Sequence, residues 1–209
     1  MLCARTRSAI ATLDDSVADL FHQWPKASHQ APPTRQQNAF PQRIDAGDQP
    51  TQTFPDGAAP LTWEAIALAG AAKVESGKWK VESGLGKVKQ ARKLLQSAEM
   101  LNPDAPDGYI SSTLGSLHAK VPGSPVGYGN KVKARQYMNK ALAVNPEGLD
   151  PNVLYGEFLA RQGDYAAALQ HVQHALAAPR RPGREDSDMG RRQEVTHPMD
   201  ALRKEHPVP

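Results

Sequence analysis

The chain has 209 residues and a formal net charge of +3 from 25 basic and 22 acidic residues, too small an excess to make nucleic acid the expected partner. Its length suits one ordinary domain with tails, and its 39% hydrophobic and 6% aromatic content leaves only part of it able to build a core. The single cysteine, Cys3, excludes an intramolecular disulfide and a cysteine-based zinc cluster, and no run of about 18 apolar residues exists to span a membrane.

At the N-terminus, Arg5, Arg7, Asp14 and Asp15 interrupt the apolar residues. No signal-peptide core of roughly 7–15 apolar residues results, so a cytoplasmic location is the default expectation. Ile10, Leu13, Val17, Leu20 and Phe21 fall on one face of a helix from Ser8 to Trp24. An amphipathic helix over 1–24 is expected to dock on the rest of the chain or on a second copy. Residues 25–60 carry seven prolines and few aliphatic residues. Such a stretch cannot offset its ordering entropy and reads as a flexible linker.

The core-forming part runs over 61–180. LTWEAIALAGAAKVESG (61–77) predicts a helix with Trp63, Ile66 and Gly70 on its contact face and Thr62 as an N-cap. The stretch KVESGKWKVESG that follows repeats five residues at a spacing of seven. It is no coiled-coil seed, because each copy ends in Gly77 or Gly84 and only Val74 and Val81 recur. It reads as an expanded connection, with Trp79 expected to dock on the helices.

Three later segments repeat one another: VKQARKLLQSAEMLNP (88–103), VKARQYMNKALAVNP (132–146) and YAAALQHVQHALAAP (165–179). Ala91, Ala134 and Ala168 align, and Ala98, Ala141 and Ala175 follow seven residues on, with Leu95, Met138 and Val172 between. Small residues two turns apart share a helix face and let a neighbouring helix approach closely. Asn-Pro at 102–103 and 145–146 stops two of these helices, since the residue before proline leaves the α region. Upstream partners are DGYISSTLGSLHAK (107–120), with Asp107 as N-cap, and LYGEFLARQG (154–163), with Gly163 as terminator. Arginine-rich residues 181–209 follow. A short capping helix is expected from Ser187 to Thr196, with Asp186 or Ser187 as its cap and Met189, Val195 and Met199 as its contacts. Pro198 should break it, and its arginines should face solvent.

The third unit, with Gly156, Gly163-Asp164-Tyr165, Ala168, Ala175 and Pro179, resembles a tetratricopeptide repeat. The second, with Leu114-Gly115, Ala134, Ala141 and Pro146, resembles it with a lengthened connection. Ala134 and Ala168 lie 34 residues apart, and Ala91 and Ala134 lie 43 apart. Along KVPGSPVGYGNKVKA, NPEGLDPNVLYGEFLARQGDYAAA and APRRPGREDSDMGRRQE the chain is similar to small bacterial tetratricopeptide proteins, mostly exported, and to the helical accessory subunit of substrate-binding-protein-dependent transporters. The resemblance implies an all-α fold, a short right-handed stack of antiparallel helical hairpins with a capped C-terminus. It also implies a concave face made by the first helix of each hairpin. In the motif register Tyr109, Ser112, Ser116, Asp150, Val153, Glu157 and Arg161 would line it and bind a peptide or protein partner. Ser116 and Glu157 stand where a carboxylate clamp has asparagine, and Ser112 and Val153 where it has lysine, so that clamp is not expected.

Candidate chemistry is sparse. His171 and His174 are spaced for a metal pair, but no third ligand is near in sequence, and the ordinary reading is solvated helix residues. His118 reads as a core histidine. The glycines of VPGSPVGYGN (121–130) lack the phosphate-loop pattern, and Pro122 and Pro125 remove two donors, so a shaped structural loop is expected. No nucleophile motif appears, and no cofactor or metal is expected. The leading expectation is a non-enzymatic interaction scaffold. The alternatives are an accessory ligand-binding subunit of an envelope or uptake system, and weak nucleic-acid binding through the basic stretch 73–93 and Arg180, Arg181, Arg184, Arg191 and Arg192.

Overall fold

A computed structural model describes residues 57–76, 83–104, 107–182 and 184–206. The helix expected at 8–24, the linker up to residue 56 and Trp79 lie outside them. The described residues form seven helices and no strand. No described helix is long and apolar enough to cross a membrane. The chain divides into two compact units, Met1–Leu101 and Asn102–Pro209.

In the first unit, α1 (Ala58–Ser76) packs on α2 (Ser83–Leu101). Pro60 sits in the first turn of α1, where its missing N–H has no intrahelical acceptor to lose. Because the helix starts at Ala58, Thr62 is not the expected cap. It lies one turn in, buried, and its hydroxyl donates to the Ala58 carbonyl at 2.7 Å. The first copy of the doublet closes α1, and Ser83-Gly84 of the second opens α2. Ala91, Leu95 and Ala98 are fully buried.

The second unit holds α3 (Tyr109–Lys120), α4 (Lys131–Val144), α5 (Leu149–Arg161), α6 (Tyr165–Ala177) and α7 (Glu185–Glu205). Helix α3 pairs with α4, and α5 with α6; α5 also meets α3 and α4, and α7 lies on α6 and α5. The small-residue register is buried throughout: Ala134, Ala141, Ala168 and Ala175 are all at or below 1% exposure, with Met138 beside them. Gly156 shows why a small residue is required. A Cβ there would come within 2.7 Å of Val172 Cγ2 and 3.1 Å of the Ala168 carbonyl.

The helix ends follow local chemistry. Asn145 leaves the helical region (φ −138°) ahead of Pro146. Gly163, at φ +83°, closes α5 in the left-handed conformation, and Asp164 then caps α6 by accepting from the Ala167 N–H. Asp107 does not cap α3 as expected. The cap position falls to Gly108, and both residues take positive φ, 47° and 79°, as the chain turns into the helix. The loop 121–130 is held by its own backbone: Gly129 N–H donates to Pro122 O, and Asn130 N–H to His118 O. Buried His118 stacks on Tyr137, with its Nδ1 3.2 Å from the Tyr128 carbonyl oxygen.

Helix α7 departs most from expectation. It runs from Glu185 to Glu205 and passes through Pro198. Pro198 is exposed, while Val195 and Met199 on either side are buried and anchor both halves. The cap position is Arg184 rather than Asp186 or Ser187, and Met189 is exposed. Leu202 packs against the cluster of Ala134, Met138, Tyr155, Phe158, Leu159 and Ala168, and His206 stacks on Tyr165.

Candidate interaction site

Asp150 stands in the first turn of α5, where the helix dipole favours a carboxylate. It is buried, and three arginines converge on it and on Tyr109 from α3. The Tyr109 hydroxyl donates to Asp150 Oδ2 at 2.7 Å. Arg181 Nη1 donates to the same oxygen at 3.0 Å and also to the Tyr109 hydroxyl. Arg191 Nε donates to Asp150 Oδ1 at 2.9 Å. Arg184 Nη1 donates to the Tyr109 hydroxyl at 2.8 Å and lies over its ring.

The guanidinium groups are themselves held. Arg181 Nε and its backbone N–H donate to the two oxygens of buried Asp188, at 2.9 and 3.2 Å. Arg191 also binds Glu194 at 2.8 Å, and Arg192 donates to the Ala178 carbonyl at 2.7 Å. Of the arginines expected in solvent, Arg180 and Arg203 are exposed, but Arg181 and Arg191 are half-buried partners of a carboxylate in the first turn of α5. The physical reason is that Asp150 loses its water on burial and must be compensated by opposite charge.

Burial alone would raise the Asp150 pKa, but Arg191, Arg181 and the Tyr109 hydrogen bond hold its carboxyl well below the usual carboxylate range. Tyr109 is pushed well above an ordinary phenol, first by burial and then by the Asp150 charge. Arg191 and Arg181 are raised despite burial by the facing carboxylates, so Asp150 and these two arginines stay charged while Tyr109 stays a neutral phenol. Further along α5, Glu157 accepts from Lys120 at 2.8 Å. Burial pushes its carboxyl up, but Lys120 outweighs that and holds it low.

Apolar contacts flank the charges. Leu149 and Val153 of α5 meet Ala175, Ala178 and Val195, with Val172 and Leu176 at the edge. Of the residues expected to line a concave face, Tyr109, Ser112, Asp150 and Val153 are thus buried, Ser116 and Glu157 are half-buried, and Arg161 is exposed. Tyr109, Asp150 and Val153 meet the chain's own residues 181–195. The Ser112 hydroxyl donates to the Tyr109 carbonyl at 3.2 Å.

A second polar cluster lies where α6 faces the α4–α5 turn. A surface cavity of about 320 Å³ is lined by Leu142, Pro146, Glu147, Asn152, Gln170, His171 and His174. His171 is not simply solvated: its Nδ1 lies 2.9 Å from Asn152 Oδ1 and its ring 4.8 Å from that of Tyr155. Burial, helped by His174, lowers its pKa. His174 Nε2 lies 2.7 Å from Glu147 Oε2. Among the described residues, no three His, Cys, Asp or Glu side chains are placed to hold one metal ion.

Sequence reasoning named Arg181, Arg184 and Arg191 only as basic residues and missed their engagement of Asp150 and Tyr109, as well as Asp188. Asp150 and Tyr109 lie 31 to 75 residues from these arginines, beyond any local spacing rule. In comparison with known proteins, no family model and no curated protein matches the chain.

Proposed function

We propose that this chain is a non-enzymatic protein-interaction scaffold of tetratricopeptide-like hairpins, taking a peptide or protein surface on the face of α3 and α5. The observation that supports it is that this face already meets the chain's own residues 181–206, with Arg181 and Arg184 ahead of α7 at Tyr109, and Arg191 and Val195 of α7 against α5. It does so with a desolvated carboxylate, a phenol and a flanking apolar strip. These are the groups by which a groove selects a helix. The buried small-residue register and the Gly156 contact support the hairpin assignment.

The test is affinity capture with the full chain, against a control carrying Glu157→Arg and Arg161→Glu at the more open end of α5. A partner held by the parent chain and released by the control supports the reading. Identical capture by both opposes it. The alternatives draw less support. The 320 Å³ cavity is a depression open to solvent, unlike the enclosed apolar pocket of a ligand-binding accessory subunit. Arg181 and Arg191 are engaged by Asp150, which leaves them poorly placed to meet phosphates.

A further inference from the structure

We propose that the C-terminal segment 181–206, α7 with the turn before it, is an exchangeable intramolecular ligand, held on Asp150 and Tyr109 and along α5 until an arginine-bearing amphipathic helix from a partner displaces it. The inference rests on the interaction reading above and adds the chemistry of the partner and the regulation of the site.

Three observations carry it. The first is the demand set by Asp150. Its carboxylate is buried and receives guanidinium donors on both oxygens. Any occupant without arginine leaves that charge desolvated and unpaired, which is strongly unfavourable. A replacement bearing arginine exchanges like for like. Lysine, a compact point charge, cannot reproduce a fork that binds Asp150 through Nε and Glu194 through Nη1.

The second is spacing. Arg191, Val195 and Met199 stand at i, i+4 and i+8, one face of a helix, and Val195 and Met199 are buried. Arg181 lies ten residues earlier, ahead of the helix. The partner that fits is a helix with arginine followed at four and eight residues by aliphatic side chains, and led by a second arginine.

The third is the weakness of α7 as a helix. Pro198 in its interior removes a helical N–H and crowds the preceding turn, which makes it the least favourable residue for that place. Met189 remains exposed, and only Val195, Met199 and the partly buried Leu202 give the 21 residues of α7 an apolar anchor. A partner helix with the same contacts and no internal proline therefore outcompetes it, apart from the tether that raises the effective concentration of α7.

The probe is a labelled peptide of residues 181–206 carrying Pro198→Ala. It is titrated into the full wild-type chain and into the full chain carrying Arg181→Gln and Arg191→Gln. The expected result is binding to the double variant at least about tenfold tighter than to wild type. A peptide with its own Arg181 and Arg191 replaced by glutamine should lose that binding. Equal affinity for both chains overturns the gate and leaves the interaction reading standing. No binding by a double variant whose α3–α6 helices remain formed removes both. Exchange of tails between two wild-type copies, seen as a concentration-dependent dimer, overturns the intramolecular assignment. A measurement on the unmodified chain covers failure of the variant to fold. Thermolysin should cut within α7 before α5 or α6, and simultaneous cutting of all three overturns exchangeability.

Discussion

Helices α5 and α6 meet through a glycine, alanines and a valine, at distances that leave no room for another carbon. Helix α7 and the turn before it meet α5 through Arg191 and Arg181 on Asp150, with Val195 in the apolar cluster of Val153 and Leu149. The two contacts are adjacent and fail differently. Close apolar packing has no alternative partner, so any added volume is strain in the folded state. A charged contact has water as its alternative, so when it breaks the segment can leave and its arginines are solvated again. The hairpins should therefore unfold as a body, whereas α7 should come away first.

The sharpest way to break the first kind of contact is Ala141→Trp. The site is fully buried, and the variant should lose about 3 kcal/mol or more of stability in urea unfolding. An unchanged midpoint would mean that the small-residue face is not a packing face. Asp150→Ala attacks the second kind. Removing one member of a buried pair usually costs roughly 3–5 kcal/mol, but here the loss should be smaller, because α7 can lift off. Helical circular dichroism should fall by the share of α7, while the midpoint of the remaining transition moves little.

Ser111 sharpens the contrast from the hairpin side. Every polar group of Asp150 and Tyr109 is paired, whereas the fully buried Ser111 hydroxyl has no hydrogen-bond partner among the described residues. Ser111→Ala should raise stability by about 1 kcal/mol, read from the same urea curves. The smallest effect is that of pH. Asp150 and Glu157 have depressed values in the folded chain. Their contribution is complete above the unfolded carboxylate value of about 4 and is lost as pH falls through the folded values. Docking of α7 should be level from about pH 5 to 8 and loosen only in stronger acid. His171, also depressed, is protonated more readily in the unfolded chain, so stability should decline slightly as pH falls through about 6.5. His171→Gln should remove that slope.

The hairpins were legible because their determinants are local. Ala134 and Ala141 share a face by helix periodicity, Asn145-Pro146 ends the helix within two residues, and Gly163-Asp164 ends one helix and begins the next. Helix α7 was misread where a local rule was overruled by tertiary contact. Pro198 signals a break, but burial of Val195 and Met199 on either side keeps the helix going. The Asp150 cluster was half legible. Tyr109, Asp150 and Val153 were read as lining residues, and the structure brings Tyr109 onto Asp150, but nothing within a few residues of them indicates Arg181 or Arg191. The arginines looked like solvated charge because that is what arginines in a polar tail ordinarily are.

Native-state hydrogen exchange, followed residue by residue as denaturant is raised from zero, tests most directly whether α7 is held separately from the hairpins. The account predicts that amides of α7 exchange through a partial opening of lower free energy, while those of α5 and α6 exchange only on global unfolding. A common opening free energy for α5, α6 and α7 would contradict it, and would make the C-terminal helix an integral part of the core.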